Sequence, residues 1–322
     1  MWNVWPAARA CRVTVMPMDS TASPRLPSRT FGSVATAMVT PFHEDGSIDV
    51  DAGVAVAVKL VDDGCDALVL HGTTGESPTT HQPEKDELVR AVVEAVGERA
   101  MVIGGAGSND TAHAVRIAQG AERSGAQGLL VVSPYYNRPS QEGVYQHIKA
   151  VADAVDLPVI LYDIPGRTGV AIADETLDRL AEHPRVKAVK DATGNVPAGF
   201  ERMARTGLEF YSGDDALNFD WLAHGASGVI SVVGHVAAGA YAEMVCEVDA
   251  GDLPGARDVA ARLRPLVAAI MGGGQGAVMS KHALHLQGVI PTPTVRLPLV
   301  PAGEQEVANL AAVLRAEGLL TA

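Results

Sequence analysis

Lys190 stands near the end of an apolar run, "VKAVKDATG" (Val186 to Gly194), that carries two lysines. Read as a β-strand, the run alternates. Val186, Ala188 and Lys190 share one face, and Lys187, Val189 and Asp191 share the other. Lys187 is close enough to the strand's start for its ammonium to reach water. An inward Lys190 in a partly desolvated pocket has its ammonium disfavoured, and the neutral amine can attack a carbonyl to form a Schiff base. For a lysine taken alone, an ammonium snorkelling from the strand end is the simpler reading. Lys190 departs from that reading through its company.

Three other segments supply that company. "GTTGES" (Gly72 to Ser77) combines small residues with the hydroxyls of Thr73 and Thr74, so amides and hydroxyls together can hold a carboxylate; taken alone it reads equally as a capped strand–helix turn. "YDIPGRTG" (Tyr162 to Gly169) offers a phenol on the strand face of Ile160, within reach of Lys190, that could relay protons. Its Arg167 offers a planar fork suited to a carboxylate. "SPYYNRPS" pairs Tyr135 with Tyr136 in a chain with only 4% aromatics. Paired loop tyrosines are more often interface anchors than catalysts, and both roles can coexist in an oligomer. "SGDDA" and "GVISV" complete the set, with backbone carbonyls available to line a pocket.

From Val34 onward, eight short apolar runs alternate with helical stretches such as "PEKDELVRAVVEAVG", which opens on proline and acidic residues and ends near glycine. Near-continuous apolar strands suit parallel strands buried on both faces. Eight such units predict a closed (β/α)8 TIM barrel, whose active sites lie at the C-terminal strand ends. A doubly wound open sheet would announce a glycine fingerprint after its first strand, and "VTPFHEDG" is not one. Beyond His235 the chain reads as mostly helical, with "QGVIPTPTVRLPLVP" as a proline-broken connection, and predicts a C-terminal helical appendage on the barrel.

The 322 residues suffice for one large barrel or two ordinary domains. The net charge of −13, from 25 basic and 38 acidic residues, argues against a nucleic-acid surface while leaving room for a local cationic pocket. No apolar stretch reaches the ~20 residues that cross a bilayer, so no membrane association is expected. Cys11, Cys65 and Cys246 are odd in number and widely spaced, which suggests neither a disulfide framework nor a metal site and fits a reduced, cytoplasmic setting. Arginines and prolines break every apolar run of residues 1–30, so a secretory signal's core is missing there. That segment reads as a disordered tail or, slightly favoured, as an extension upstream of a start at Met16 or Met18. The expected domains are this segment, the barrel over 31–238, and the last barrel helix with the appendage over 239–322.

The ordered set "VTPF", "GTTGES", "PYYNRPS", "YDIPGRTG", "VKDATG", "SGDDA" and "GVISV" resembles the dihydrodipicolinate synthase (4-hydroxy-tetrahydrodipicolinate synthase) family over nearly the whole chain from Phe31 on. The lysine strand and "GTTGE" are shared with related pyruvate-dependent aldolases, whereas "PYYNRP" and "GRTG" are more specific to the synthase. The resemblance implies a Schiff-base lyase condensing pyruvate with L-aspartate 4-semialdehyde, the first committed step toward diaminopimelate and lysine, with neither metal nor organic cofactor. By that resemblance Lys190 is the Schiff-base lysine, Tyr162 the proton donor and acceptor, and Thr73 and Tyr136 the rest of its relay. Tyr136 would act in the neighbouring subunit's site, within a homotetramer built from tight dimers. Thr74 and Ile230 match pyruvate-contacting positions, Gly213 lies nearby, and Arg167 matches the residue that receives the aldehyde's carboxylate.

A sibling aldolase cleaving N-acetylneuraminate or 2-keto-3-deoxygluconate would share Lys190 and Tyr162 but have less need of Arg167, and a non-catalytic binding barrel is the remaining alternative. Two departures from the pattern stand out. His71 occupies a place often held by a smaller residue. At the effector site of lysine-inhibited members, two histidines and a glutamate are matched here by Gln82, Lys85 and His113, which implies weak or absent inhibition by lysine.

Overall fold

The computed structural model describes residues 26–272 and 275–320. The possible starts at Met16 and Met18, with most of the N-terminal segment, lie outside the described residues.

Eight parallel strands close into one barrel in sequence order, with β1 (Val34–Ala37) pairing both β2 (Ala67–Leu70) and β8 (Gly228–Ser231). Between them run β3 (Met101–Gly105), β4 (Gly128–Val132), β5 (Val159–Asp163), β6 (Val186–Asp191) and β7 (Glu209–Ser212). The layer outside the strands is formed by α1 (Val50–Asp62), α2 (Glu84–Val96), α3 (Thr111–Arg123), α4 (Gln141–Asp153), the short α5 (Pro165–Thr168), α6 (Asp174–Ala181), α7 (Val196–Thr206), α8 (Asn218–Ala223) and α9 (Gly234–Asp249). Beyond the barrel the described residues form α10 (Leu253–Val267), continued by a π-helical stretch (Ala268–Gly272), then α11 (Gly276–Leu286) and α12 (Glu304–Ala316). The (β/α)8 barrel with a C-terminal helical appendage is therefore as the sequence predicts.

Local chemistry starts and stops these elements. Asp49, Asp110 and Asn195 accept hydrogen bonds from backbone amides in the first turns of α1, α3 and α7, and Gly207 ends α7 in the left-handed conformation. The strands bury both faces. Ala35, Val69, Ile103, Ile160, Ala188 and Ile230 fill the barrel interior, while Val34, Leu68, Leu129 and Leu161 pack outward against the helices. At the N-terminal end, Arg29 donates to both carboxylate oxygens of Asp249 at 2.7 Å and Thr30 donates to Glu209, so this stretch is tied to the barrel.

One expectation about β6 is corrected. Val159 pairs with Val186, but the next residue, Ile160, pairs with Ala188, so Lys187 is an extra, exposed residue in the strand. The irregularity turns Val186 outward into the helix-facing core beside Val189. Val186 thus does not share a face with Ala188 and Lys190. Downstream of Lys187 the alternation resumes, and Lys190 points inward as predicted.

Candidate active site

Lys190 sits one residue before the end of β6, between Tyr162 of β5 and Tyr211 of β7 in the register. Its side chain is buried and opens into a cavity of about 250 Å³ at the C-terminal mouth of the barrel, which Thr73, Thr74, Tyr162, Arg167 and Gly213 also line. The ammonium lies 4.5 Å from the centroid of the Tyr162 ring. Burial pushes it down to about 8 from the ordinary 10.5, with Arg167 adding to the fall and the Asp215 carboxylate opposing it. A substantial fraction is consequently neutral near pH 8.

The surrounding groups complement that amine. Gly213 leaves the lysine stem room: a Cβ there would meet the Lys190 Cγ and Cε at 3.0 Å. The Tyr162 phenol is buried, and burial raises it to about 12 while Arg167 and a hydrogen bond with Thr73 pull it back. It is protonated at neutral pH and able both to donate and to accept. Thr74 is buried in the cavity wall, whereas Thr73 and Arg167 are exposed toward its opening.

Two expected site residues stand apart from the cavity. Ile230 is buried within the inner barrel layer, and Val232, two residues on, lines the cavity instead. Tyr136 is 88% exposed, with φ +72°, and borders a second, open depression of about 430 Å³ with Tyr135, Arg138 and Thr168. Arg167 borders both hollows, so Tyr136 stands next to the site without entering it in a single chain.

His71 takes no part in the lining. It has φ +54°, and burial together with the charge of Lys85 pushes its imidazole down to about 3, so the ring is neutral. Among the described residues, neither of its ring nitrogens has a hydrogen-bond partner.

Residue-type reasoning passed over three contributors. Asp215 of "SGDDA" is buried and accepts hydrogen bonds from Ser231, Tyr241 (2.9 Å) and the amide of Val232 (2.8 Å), which fixes a carboxylate near Lys190. Glu76, the fifth residue of "GTTGES", lines the cavity, and nothing in the sequence sets it apart from the other acidic residues. The appendage supplies Met271, Gln275, Pro298 and Leu299 to the outer wall. No spacing signal marks those last four.

Residues 30–317 match the family model described as "Dihydrodipicolinate synthetase family". The chain belongs to this family. It is 55% identical over 302 residues to the 4-hydroxy-tetrahydrodipicolinate synthase of Kineococcus radiotolerans, across 94% of this chain and 98% of that protein. The Acinetobacter baumannii dihydrodipicolinate synthase solved with pyruvate is 36% identical, with a TM-score of 0.86, covering 90% of this chain and 100% of that one. A synthase from Cyanidioschyzon merolae solved with lysine bound is 38% identical, with a TM-score of 0.85, over 90% and 99% of the two chains. These dihydrodipicolinate synthetase relatives share the barrel and span almost the whole described fold. No helix among the described residues is long and apolar enough to cross a membrane.

Proposed function

We infer that the chain is a 4-hydroxy-tetrahydrodipicolinate synthase, a lyase that condenses pyruvate with L-aspartate 4-semialdehyde through a Schiff base on Lys190. The observation carrying the reading is the buried Lys190 amine, lowered to about 8, in a cavity it shares with two threonines, a phenol and a guanidinium. Relatives at 51–55% identity that carry the synthase name support the same reaction.

The neutral Nζ adds to the C2 carbonyl of pyruvate, water leaves, and an iminium forms. The iminium draws electrons from C3, which loses a proton to give an enamine. The enamine carbon attacks the aldehyde carbon, and the aldehyde oxygen takes up a proton. The semialdehyde's amino group then attacks the former C2, closing the ring and expelling Lys190. One water is released and no electrons are gained or lost. The proposed proton carriers are Tyr162, Thr73 and, from the neighbouring subunit, Tyr136. Thr74 and the turn's amides hold the pyruvate carboxylate, Ile230 closes the site from below, Gly213 accommodates the lysine stem, and Arg167 receives the carboxylate of the aldehyde. The proposed assembly is a cytoplasmic homotetramer of tight dimers, which would cover the exposed Tyr136.

Borohydride reduction in the presence of pyruvate tests this reading. The expected result is a stable adduct on the peptide containing Lys190, and turnover of aspartate semialdehyde with no cleavage of N-acetylneuraminate or 2-keto-3-deoxygluconate. No adduct, or preferred cleavage of a sugar acid, would overturn it.

A further inference from the structure

The turn that carries Thr73 and Thr74 is held from the far end of the chain. Within the turn, the Glu76 amide donates to the Thr73 carbonyl at 3.1 Å, the Ser77 amide to Gly72 at 3.2 Å, and the Thr40 hydroxyl to Gly75 at 2.7 Å. At its end Glu76 has φ +54° and ψ +42°, a left-handed conformation that a side-chain-bearing residue keeps only when its surroundings compel it. Those surroundings are ionic. The Glu76 carboxylate is fully buried; one oxygen accepts from the Lys281 ammonium at 2.5 Å and the other from the Arg296 amide at 2.9 Å.

Both donors are themselves fixed. Lys281 of α11 is 0% exposed, donates also to the Thr294 carbonyl at 2.8 Å, and stands 3.9 Å from the centroid of Phe42. The Arg296 guanidinium covers the same ring at 4.4 Å, donates to the Thr79 carbonyl at 2.6 Å, and grips both oxygens of Glu84 at 2.6 and 2.8 Å. Thr79 and Glu84 lie just beyond the turn, at the approach to α2. A buried ion pair contributes little net stability, because desolvation offsets its attraction, but it admits very few geometries. Glu76 also lines the Lys190 cavity, so the geometry it imposes is that of the site.

We propose that Lys281, acting through Glu76, is a positioning residue for the condensation, setting where the Thr73 and Thr74 hydroxyls stand against Tyr162 and the pyruvate carboxylate. The inference rests on the function proposed above and deepens it. Neither Lys281 nor Arg296 touches a reacting atom. A displacement of about 1 Å at a group that must meet a substrate in line can cost about 100-fold in rate.

The test compares Lys281→Met with Lys281→Arg and with Arg29→Met, which breaks the ion pair at the opposite end of the barrel. In Lys281→Met, kcat is expected to fall about 10- to 100-fold and KM for pyruvate to rise, with KM for the aldehyde within twofold of the parent. Lys281→Arg recovers part of kcat, and Arg29→Met lowers Tm with kcat unchanged. A folded Lys281→Met with parental kcat, an equal rise in both KM values, or an equal kcat loss in Arg29→Met would overturn the proposal. Hydrogen exchange on the parent requires no variant. The amides of Glu76 and Ser77 should exchange as slowly as those of α11, and exchange about 100-fold faster would also overturn it. If the parent itself traps no pyruvate at Lys190, the functional reading fails; if it traps pyruvate and Lys281→Met is unimpaired, only the positioning role does.

Discussion

The proton affinity of Lys190, the proposed nucleophile, is set by burial and two charged neighbours. Burial and Arg167 lower the Lys190 ammonium to about 8, and Asp215 holds it from falling further. Since the neutral amine attacks, trapping with pyruvate should rise about tenfold per pH unit below that value and level off above it. Removing the carboxylate in Asp215→Asn withdraws support from the ammonium, so the inflection should move to lower pH; a move to higher pH would refute the electrostatic assignment. The trapping rate measured against pH, in parent and variant, decides it. Lys190 and Tyr162 were readable in the sequence because strand alternation fixes which side chains point into a barrel. Asp215 was not, because one carboxylate among 38 acidic residues carries no mark of burial until Ser231, Tyr241 and the Val232 amide are seen converging on it.

Strands and helices were legible for a related reason: eight near-continuous apolar runs separated by capped amphipathic segments admit few other folds. The β6 irregularity escaped, since nothing in "VKAVKD" distinguishes an extra residue from a regular one; Lys187 shows it only through the skipped partner on β5. The effector region illustrates how an element redirects a side chain. Lys85, on the first turn of α2, is buried and donates to the hydroxyl and carbonyl of Ser77 at 2.9 and 3.1 Å. Gln82 pairs with Asp86, and His113 with Ser108. If these positions correspond to the effector site of lysine-inhibited family members, Lys85 brings a like charge and none of the three supplies a carboxylate for a lysine ligand's ammonium, so lysine should inhibit weakly or not at all. Half-inhibition at submillimolar lysine in a steady-state titration would contradict that expectation.

In the proposed assembly, a neighbouring subunit would add what one chain lacks. Tyr136 projects into solvent beside Arg167, outside the cavity holding Lys190. If it serves a neighbour's site, Tyr136→Phe and Lys190→Ala chains should each be nearly inactive alone, yet refolding them together should restore roughly a quarter of parental activity, the share that statistical pairing of two-fold dimers yields. Absence of recovery in a mixture shown to contain hybrids would remove Tyr136 from the relay. The tyrosine pair by itself reads as an interface anchor, and the relay role proposed for Tyr136 rests on family likeness, because a side chain acting between chains leaves no intrachain pattern to read.

The grip of Lys281 and Arg296 on Glu76 also has a consequence in time. Ribosomes deliver the chain from its amino end, so all eight strands emerge before the residues that lock the threonine turn. A chain stopped ahead of Lys281 would carry all eight strands and lack both donors to Glu76, so on the positioning role proposed above it is expected to bind pyruvate poorly.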